Sequence, residues 1–263
     1  MTSSTGVATA LLSLRSLSKR FGGLQVFSDV SFDVDSGTVV GLIGPNGAGK
    51  STLIGCISGF VRPDSGSVEF EGRTITGLAP HTLCRAGITR TFQQAHLLAH
   101  LSVLDNVIVG SHVRACSPHV RALWRSRVVV AEEEALRASA MEILESVGCA
   151  HLAREKAGAL TAGQQRLVSV ARALSSHARV LLLDEPAAGL NEGETVRLAE
   201  TLGRLRESGL TLLVIEHDIR LVTSISDRLV VLANGVVLAE GDPAEVCADP
   251  NVIEVYLGAR HVH

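Results

Sequence analysis

The chain lacks a long apolar run, a strong charge of either sign and an organised set of cysteines, and each absence excludes a class of protein. No apolar run approaches the ~18 residues that cross a bilayer as a helix. The 24 basic and 27 acidic residues give a net charge of -3, so we expect no nucleic-acid partner. The five cysteines are scattered without the spacing of a metal site or a disulfide framework, which favours a reducing cytoplasm.

The size and apolar content predict one large α/β domain with a small helical insert. The chain has 263 residues, 46% of them hydrophobic, and a mean hydropathy of +0.29. Because its apolar runs have the length of strands, we expect a soluble subunit that docks on larger partners. No basic region precedes the first apolar stretch, so we interpret the N-terminus as a tail leading into a strand rather than a signal peptide.

A glycine-rich segment at 44–51, GPNGAGKS, matches the phosphate-loop pattern G-x-x-x-x-G-K-S in full. An apolar strand at 38–43 precedes it and a helix at 50–58 follows, a context that a chance glycine turn does not explain. The glycines let backbone N–H groups converge on phosphate oxygens, Lys50 is expected to reach the β- and γ-phosphates, and the Ser51 hydroxyl is expected to bind Mg²⁺. The residues expected to contact the nucleotide are Gly44, Pro45, Asn46, Gly47, Ala48, Gly49, Lys50, Ser51 and Thr52.

Two carboxylates end a second apolar segment, VLLLDEP at 180–186. A buried strand that ends in Asp-Glu places both acids at the carboxyl edge of a sheet, where open α/β sheets bind ligands. We expect Asp184 to bind Mg²⁺ and Glu185 to act as the general base for an attacking water. The alternative is a pair of helix-capping acids, which Pro186 and the preceding strand argue against.

A third segment, LTAGQQR at 160–166, begins a helix. Thr161 and Gln164 have the spacing of a capping box, and the helix behind them has an apolar face. A helix start alone would explain these features. The apolar face consists of Leu167, Val170, Ala171 and Leu174.

The three segments, in this order, resemble the motifs of the ATP-binding cassette (ABC) family. LTAGQ is similar to the family's signature, usually written LSGGQ: Thr161 stands at the serine, Gly163 and Gln164 match, and Ala162 departs from it. The resemblance implies that ATP is the nucleotide and Mg²⁺ the cofactor. It also implies that Thr161, Gly163 and Gln164 meet the γ-phosphate of an ATP bound by a partner subunit.

Further positions match the family's motifs. His217 follows an apolar strand and has the place of the switch histidine at the γ-phosphate, although a lone histidine is usually structural or solvated. Gln93 has the place of the glutamine that links Mg²⁺ and water to the permease-facing region, with Gln94 as the alternative. Phe21 matches the aromatic residue that stacks on adenine, and an ordinary apolar surface residue is the alternative. Asn191 stands where many relatives have aspartate, so the coupling between two sites is expected to differ in detail.

The resemblance implies the fold of the ABC-type P-loop NTPases. This α/β fold has a mixed-sheet core, an antiparallel β subdomain and an α-helical subdomain insert. We predict one ABC ATPase domain at 1–263, in which 1–95 and 160–263 form the nucleotide-binding core with the β subdomain. Residues 96–159 form the helical subdomain. Within it, the segment 106–131 has four arginines and no acidic residue, which is typical of a solvated helix pair or, alternatively, of a basic surface near lipid headgroups or a permease.

More narrowly, the chain is similar to the longer ATPase subunit of bacterial high-affinity branched-chain amino acid importers. The segments that carry this likeness are GITRTFQ at 87–93, LDEPAAGLN at 183–191, IEHDIRLV at 215–222 and VYLG at 255–258. The likeness implies two membrane permeases, a substrate-binding protein and a second ATPase, either a paralogue or an identical chain. It also implies a peripheral position on the cytoplasmic face of the membrane. Urea, amides and other amino acids stay open as cargoes, because the ATPase does not choose the cargo.

Three other classes of protein fit the sequence less well. A P-loop GTPase needs an N-K-x-D segment, which is absent, and lacks LTAGQ. Soluble cassette ATPases of translation or DNA repair carry two cassettes or a long coiled coil, and 263 residues do not accommodate either. A module that binds ATP without hydrolysing it would not be expected to keep Lys50, Asp184, Glu185 and His217.

Overall fold

The computed structural model describes residues 10–91, 96–111 and 127–258, with backbone alone at 127–130 and 257–258. The chain divides into two compact units. The first consists of residues 1–80 and 206–263, and the second of residues 81–205.

An antiparallel sheet begins the first unit. Its long central strand β1 pairs with β2 on one side and with β4 on the other, and β5 completes the order β2-β1-β4-β5. Apolar side chains such as Val68 and Phe70 alternate with more exposed ones along β4, as expected for a sheet with one buried face. The strands are β1 (Ala10–Phe21), β2 (Leu24–Asp35), β4 (Ser65–Phe70) and β5 (Arg73–Thr74).

The first unit also holds a mixed set of strands in the order β10-β9-β3-β8. The central strand β3 runs parallel to β8 and β9, and β10 returns antiparallel to β9. Every residue of β3 and β8 is buried, as expected for strands that contain no polar residue except Thr211. The strands are β3 (Val39–Ile43), β8 (Thr211–Ile215), β9 (Arg228–Ala233) and β10 (Val236–Gly241).

Short helices accompany these strands: α1 (Lys50–Ile57), α7 (Ile219–Ile225), α8 (Pro243–Ala248) and α9 (Pro250–Gly258). Asp242 caps α8 by accepting a hydrogen bond from the Ala244 amide at 2.8 Å, with proline in the first turn, as the Asp-Pro pair predicts. The C-terminal helices contribute Val246 and Val252 to a core cluster that contains Ile43, the last residue of β3. They therefore support the strand that enters the glycine-rich loop.

The second unit contains the parallel pair of strands β6 and β7 together with several helices. Helix α3 packs against α4 and α5. Ala140 and Leu144 of α4 are buried, as is Val147 directly after the helix, whereas Leu136 is exposed. The elements are α2 (Pro80–Ala86), β6 (Ile88–Thr91), α3 (Val103–Ser111), α4 (Arg127–Ser146), α5 (Ala162–Leu174), β7 (Val180–Asp184) and α6 (Glu192–Glu207).

The predicted α/β class, with mixed strands, an antiparallel sheet and helices, is confirmed. Most of the arginine-rich segment lies outside the described residues, and the division into a core and an insert at 96–159 stays a prediction. No helix in the described part of the chain combines the length and the apolar character that a membrane span needs.

We expect Gly41→Ala in the buried strand β3 to destabilise the fold by about 1–3 kcal/mol through overpacking. A Cβ at Gly41 would lie 2.5 Å from Val222 Cγ2 and 2.6 Å from Leu229 Cδ2. Gly23→Ala is the matched control, because a Cβ there meets nothing within 4 Å. Denaturant unfolding followed by circular dichroism measures both, and equal midpoints for the two variants would contradict the packing argument.

Candidate nucleotide-binding site

The glycine-rich loop leaves β3 with a backbone that only glycine permits. Gly44 has a φ of 149°, and a Cβ there would lie 1.9 Å from the carbonyl oxygen of Leu232 on the neighbouring strand β9. The loop thus begins in direct backbone contact with the sheet, and a side chain at this position would force the two apart.

The start of α1 has the chemistry of an anion site. Gly49, the N-cap residue, has a φ of 99° and offers no side-chain cap, and the first turn holds no acidic residue. The positive end of the helix is therefore not neutralised by a carboxylate in its own first turn. The Lys50 side chain is buried and its Nζ donates to the carbonyl oxygens of Gly44 at 2.7 Å and Pro45 at 3.0 Å. These groups fit the phosphates of a nucleotide.

His217 follows the strand next to the one that enters the loop. Strands β3 and β8 are parallel, with Leu42 opposite Ile215, so their carboxyl ends are level. Glu216 is buried and its Oε2 accepts from the His217 amide at 3.2 Å, whereas the His217 side chain is exposed. His217 lies at the same strand edge as the phosphate loop, and its contact with the γ-phosphate stays a prediction.

Phe21 ends β1 with half of its surface exposed, and one face of its ring is already engaged. The Lys19 ammonium lies 5.1 Å from the ring centroid and also bonds Asp64 Oδ1 at 3.0 Å. This cation–π contact covers one face of the ring and leaves the opposite face open, and stacking on adenine stays a prediction.

In the second unit, Asp184 ends the buried strand β7 and is held by an arginine. The Arg90 guanidinium, on the paired strand β6, donates to Asp184 Oδ2 at 2.7 Å, and both side chains are largely buried. We did not predict a role for Arg90, because its partner Asp184 is 94 positions away in the sequence. The pair orients the carboxylate and compensates its burial.

Glu185 occupies a strained backbone position. It follows β7 directly, has a φ of 49°, and its carbonyl accepts from the Ala188 amide at 3.2 Å in a tight turn. A non-glycine residue in the left-handed region costs about 1–2 kcal/mol, and such strain concentrates at functional sites. The geometry is consistent with the base role, which stays a prediction.

The predicted capping box opens α5. The Thr161 hydroxyl accepts from the Gln164 amide at 3.3 Å, and Gln164 Oε1 accepts from the Thr161 amide at 2.9 Å. Glu194, from the first turn of α6, also reaches this turn and bonds Thr161 and Gly163. The sequence gives no local signal for that contact, because the partners are more than 30 residues apart.

The predicted site residues thus belong to both of the two units. Phe21, Lys50 and His217 belong to the first unit, and Thr161 and Asp184 to the second. Gln93 and its alternative Gln94 lie outside the described residues. The hydroxyl of Ser51 and the carboxylate of Asp184 are oxygen ligands that suit Mg²⁺.

Tyr256 lies beside the entrance of the phosphate loop. It packs against the core cluster that contains Ile43, and its hydroxyl finds no hydrogen-bond partner among the described residues. Burial raises the pKa of Tyr256 to about 12, although the nearby Gly44 backbone acts in the opposite direction. The phenol is thus held neutral next to the loop.

We expect Tyr256 to ionise near pH 12 in the folded protein, about two units above an exposed tyrosine. Because its pKa is raised on folding, stability is unaffected below pH 10 and falls between pH 10 and 12. Absorbance at 295 nm measures the ionisation of Tyr256 directly, since the chain has one tyrosine. Tyr256→Phe should remove the signal and the associated loss of stability. A midpoint near pH 10 in a chain that is still folded would contradict the burial of the phenol.

Two family models match the chain. The ABC transporter model matches residues 27–188, and a model of branched-chain amino acid ATP-binding cassette transporters matches residues 236–262. The second match covers β10, α8 and α9, which contribute to the core cluster that contains Ile43 at the end of β3.

Two relatives of similar length are named as ATP-binding proteins of branched-chain amino acid transport. The chain is 39% identical to the high-affinity branched-chain amino acid transport ATP-binding protein BraF of Pseudomonas aeruginosa, over 94% of this chain and 98% of that protein. It is 38% identical to the corresponding protein LivG of Escherichia coli K12, with the same coverage of each chain.

Solved structures with the same fold are cassettes of ABC transporters. One in its ADP conformation is 38% identical with a TM-score of 0.83, over 95% of this chain and 99% of that one. A nucleotide-free cassette is 37% identical with a TM-score of 0.82, over 94% of this chain and 98% of that one. A dimeric bacterial cassette is 26% identical with a TM-score of 0.73, over 88% and 98%.

Proposed function

Because this chain belongs to the ABC transporter family of ATP-binding subunits, we propose that it hydrolyses ATP to drive an importer of branched-chain amino acids. The match of residues 236–262 to the model of branched-chain amino acid cassettes is the observation that best supports this choice of cargo. The names of BraF and LivG support the same cargo. The proposed localisation is peripheral, on the cytoplasmic face of a bacterial membrane, in contact with permease subunits.

The glycine-rich loop binds the triphosphate in this proposal. Backbone N–H groups at the start of α1 and the Lys50 ammonium surround the β- and γ-phosphates, and Phe21 stacks on the adenine. Charge-assisted hydrogen bonds contribute about 1.5–3 kcal/mol each, so this loop supplies most of the affinity. To reach a phosphate, Lys50 exchanges the carbonyl oxygens of Gly44 and Pro45 for a stronger, charged acceptor.

Ser51, Asp184 and Gln93 would hold Mg²⁺, which neutralises phosphate charge when bound. Arg90 orients the Asp184 carboxylate for this task. Glu185 accepts the proton of the attacking water, and His217 donates a hydrogen bond toward the γ-phosphate.

The working form we propose is a dimer of ATPase subunits, formed with a paralogue or a second copy. Thr161, Gly163 and Gln164 meet the γ-phosphate bound by the partner, so the triphosphate stabilises the closed dimer more than the open one. The helical region at 96–159 passes closure to the permeases, which receive cargo from a substrate-binding protein. Hydrolysis removes the γ-phosphate contacts and lets the dimer open.

We expect Glu185→Gln and Lys50→Ala to fail in different ways. Loss of the base lowers kcat about 10²- to 10⁴-fold and leaves ATP binding intact. Loss of the ammonium weakens ATP binding about tenfold or more. Glu192→Gln, an exposed acid on α6, is the control. Equilibrium binding and hydrolysis are measured in dimers of defined composition, since an active partner site would mask the loss. Equal rates for Glu185→Gln and wild type would remove Glu185 from the base role.

Uptake in cells whose only copy carries Glu185→Gln tests the cargo. We expect uptake of labelled leucine, isoleucine and valine to be lost, while urea and an unrelated amino acid enter normally. If uptake of a different substrate is lost while uptake of these three is intact, the importer role is supported and the branched-chain cargo is contradicted. Unchanged uptake of every substrate would contradict the transport role for the substrates assayed.

A further inference from the structure

A carboxylate from α6 occupies the N-terminal end of the signature helix α5. Glu194 Oε1 accepts from the Thr161 hydroxyl at 3.0 Å and from the Gly163 amide at 3.2 Å. Its other oxygen, Oε2, accepts from the Asn191 amide at 3.3 Å, and the Glu194 amide donates to Asn191 Oδ1 at 3.0 Å. One side chain therefore ties the turn before α6 to the turn that opens α5.

These bonds commit two donors at the start of α5. A hydroxyl carries one proton, and the Thr161 hydroxyl gives it to Glu194 while accepting from the Gln164 amide. The Gly163 amide likewise has one proton, directed at the same carboxylate oxygen. A second anion at this turn would have to compete with Glu194 for both protons.

Electrostatics and fit both favour the carboxylate at this place. The first turn of α5 holds no acidic residue of its own, so Glu194 supplies the negative charge that the helix start attracts. The hydrogen bonds from Asn191, Thr161 and Gly163 lower the pKa of Glu194. A Cβ at Gly163 would lie 2.7 Å from the Glu194 carboxyl carbon, so glycine is needed for the approach.

We propose that Glu194 is a positioning residue that holds the Thr161 hydroxyl and the Gly163 amide until the partner's ATP displaces it. This inference rests on the proposed function, in which the partner's γ-phosphate meets the same two groups. Two anions cannot share one hydroxyl proton and one amide proton, and their like charges repel. Glu194 therefore opposes closure until a triphosphate is present.

Glu194→Gln should lower the ATP concentration that half-closes the dimer by about threefold to fivefold, the scale of a partly exposed charged pair. The amide removes the negative charge and presents one acceptor oxygen instead of two. Affinity for ADP should stay unchanged, because ADP has no γ-phosphate to compete with Glu194. A general loss of packing would not separate the two nucleotides in this way.

The test uses the complete transporter with both ATPase subunits, and every variant also carries Glu185→Gln to slow hydrolysis at its own site. Fluorescence transfer between labelled ATPase subunits reports closure as ATP or ADP is added. Glu192→Gln is the matched control, since it removes the same charge from an exposed acid in the same helical turn. We expect it to close at the same ATP concentration as the parent.

A double-mutant cycle with Thr161→Val isolates the proposed contact. Valine keeps the shape of threonine but offers no proton, so Glu194→Gln should have a smaller effect on this background. The inference is overturned by an unchanged or higher half-closing ATP concentration in Glu194→Gln. It is also overturned by an equal change in Glu192→Gln, or by full additivity in the cycle. A parent transporter that does not close with ATP would overturn the proposed dimer mechanism and this inference together.

Discussion

The parallel pairing of β3 with β8 and β9 is the constraint on which the first unit depends. Because β3 and β8 are buried along their whole length, their polar continuations emerge at the same edge of the sheet. The phosphate loop leaves this edge from β3, and His217 leaves it from β8. The contact between Gly44 and the Leu232 carbonyl then fixes the beginning of the loop against β9.

In the second unit, two carboxylates already bond to other groups of the same chain without a ligand. Arg90 bonds the Asp184 carboxylate, and Glu194 bonds the start of α5. Such partners compensate charges and donors that a nucleotide would otherwise engage. In the proposed mechanism, binding is therefore an exchange of internal partners for phosphate and metal.

Much of the fold followed from local patterns. The apolar strands and the caps at Thr161 and Asp242 were predicted from the sequence, because strand burial and capping depend on residues a few positions apart. Strand β6 and helix α7 were missed, since four and seven residues carry too weak a periodicity.

The sequence by itself determined the chemistry of the site: a phosphate loop with Lys50, an Asp-Glu pair after an apolar strand, and a capped signature helix. These motifs are short, and each depends on the local bending of one chain segment. Only the tertiary structure decided which other side chains bond to the residues of these motifs. Arg90 meets Asp184 across paired strands, and Glu194 reaches Thr161 over 33 positions. Such contacts arise from the packing of distant elements, and no local pattern in the sequence encodes them.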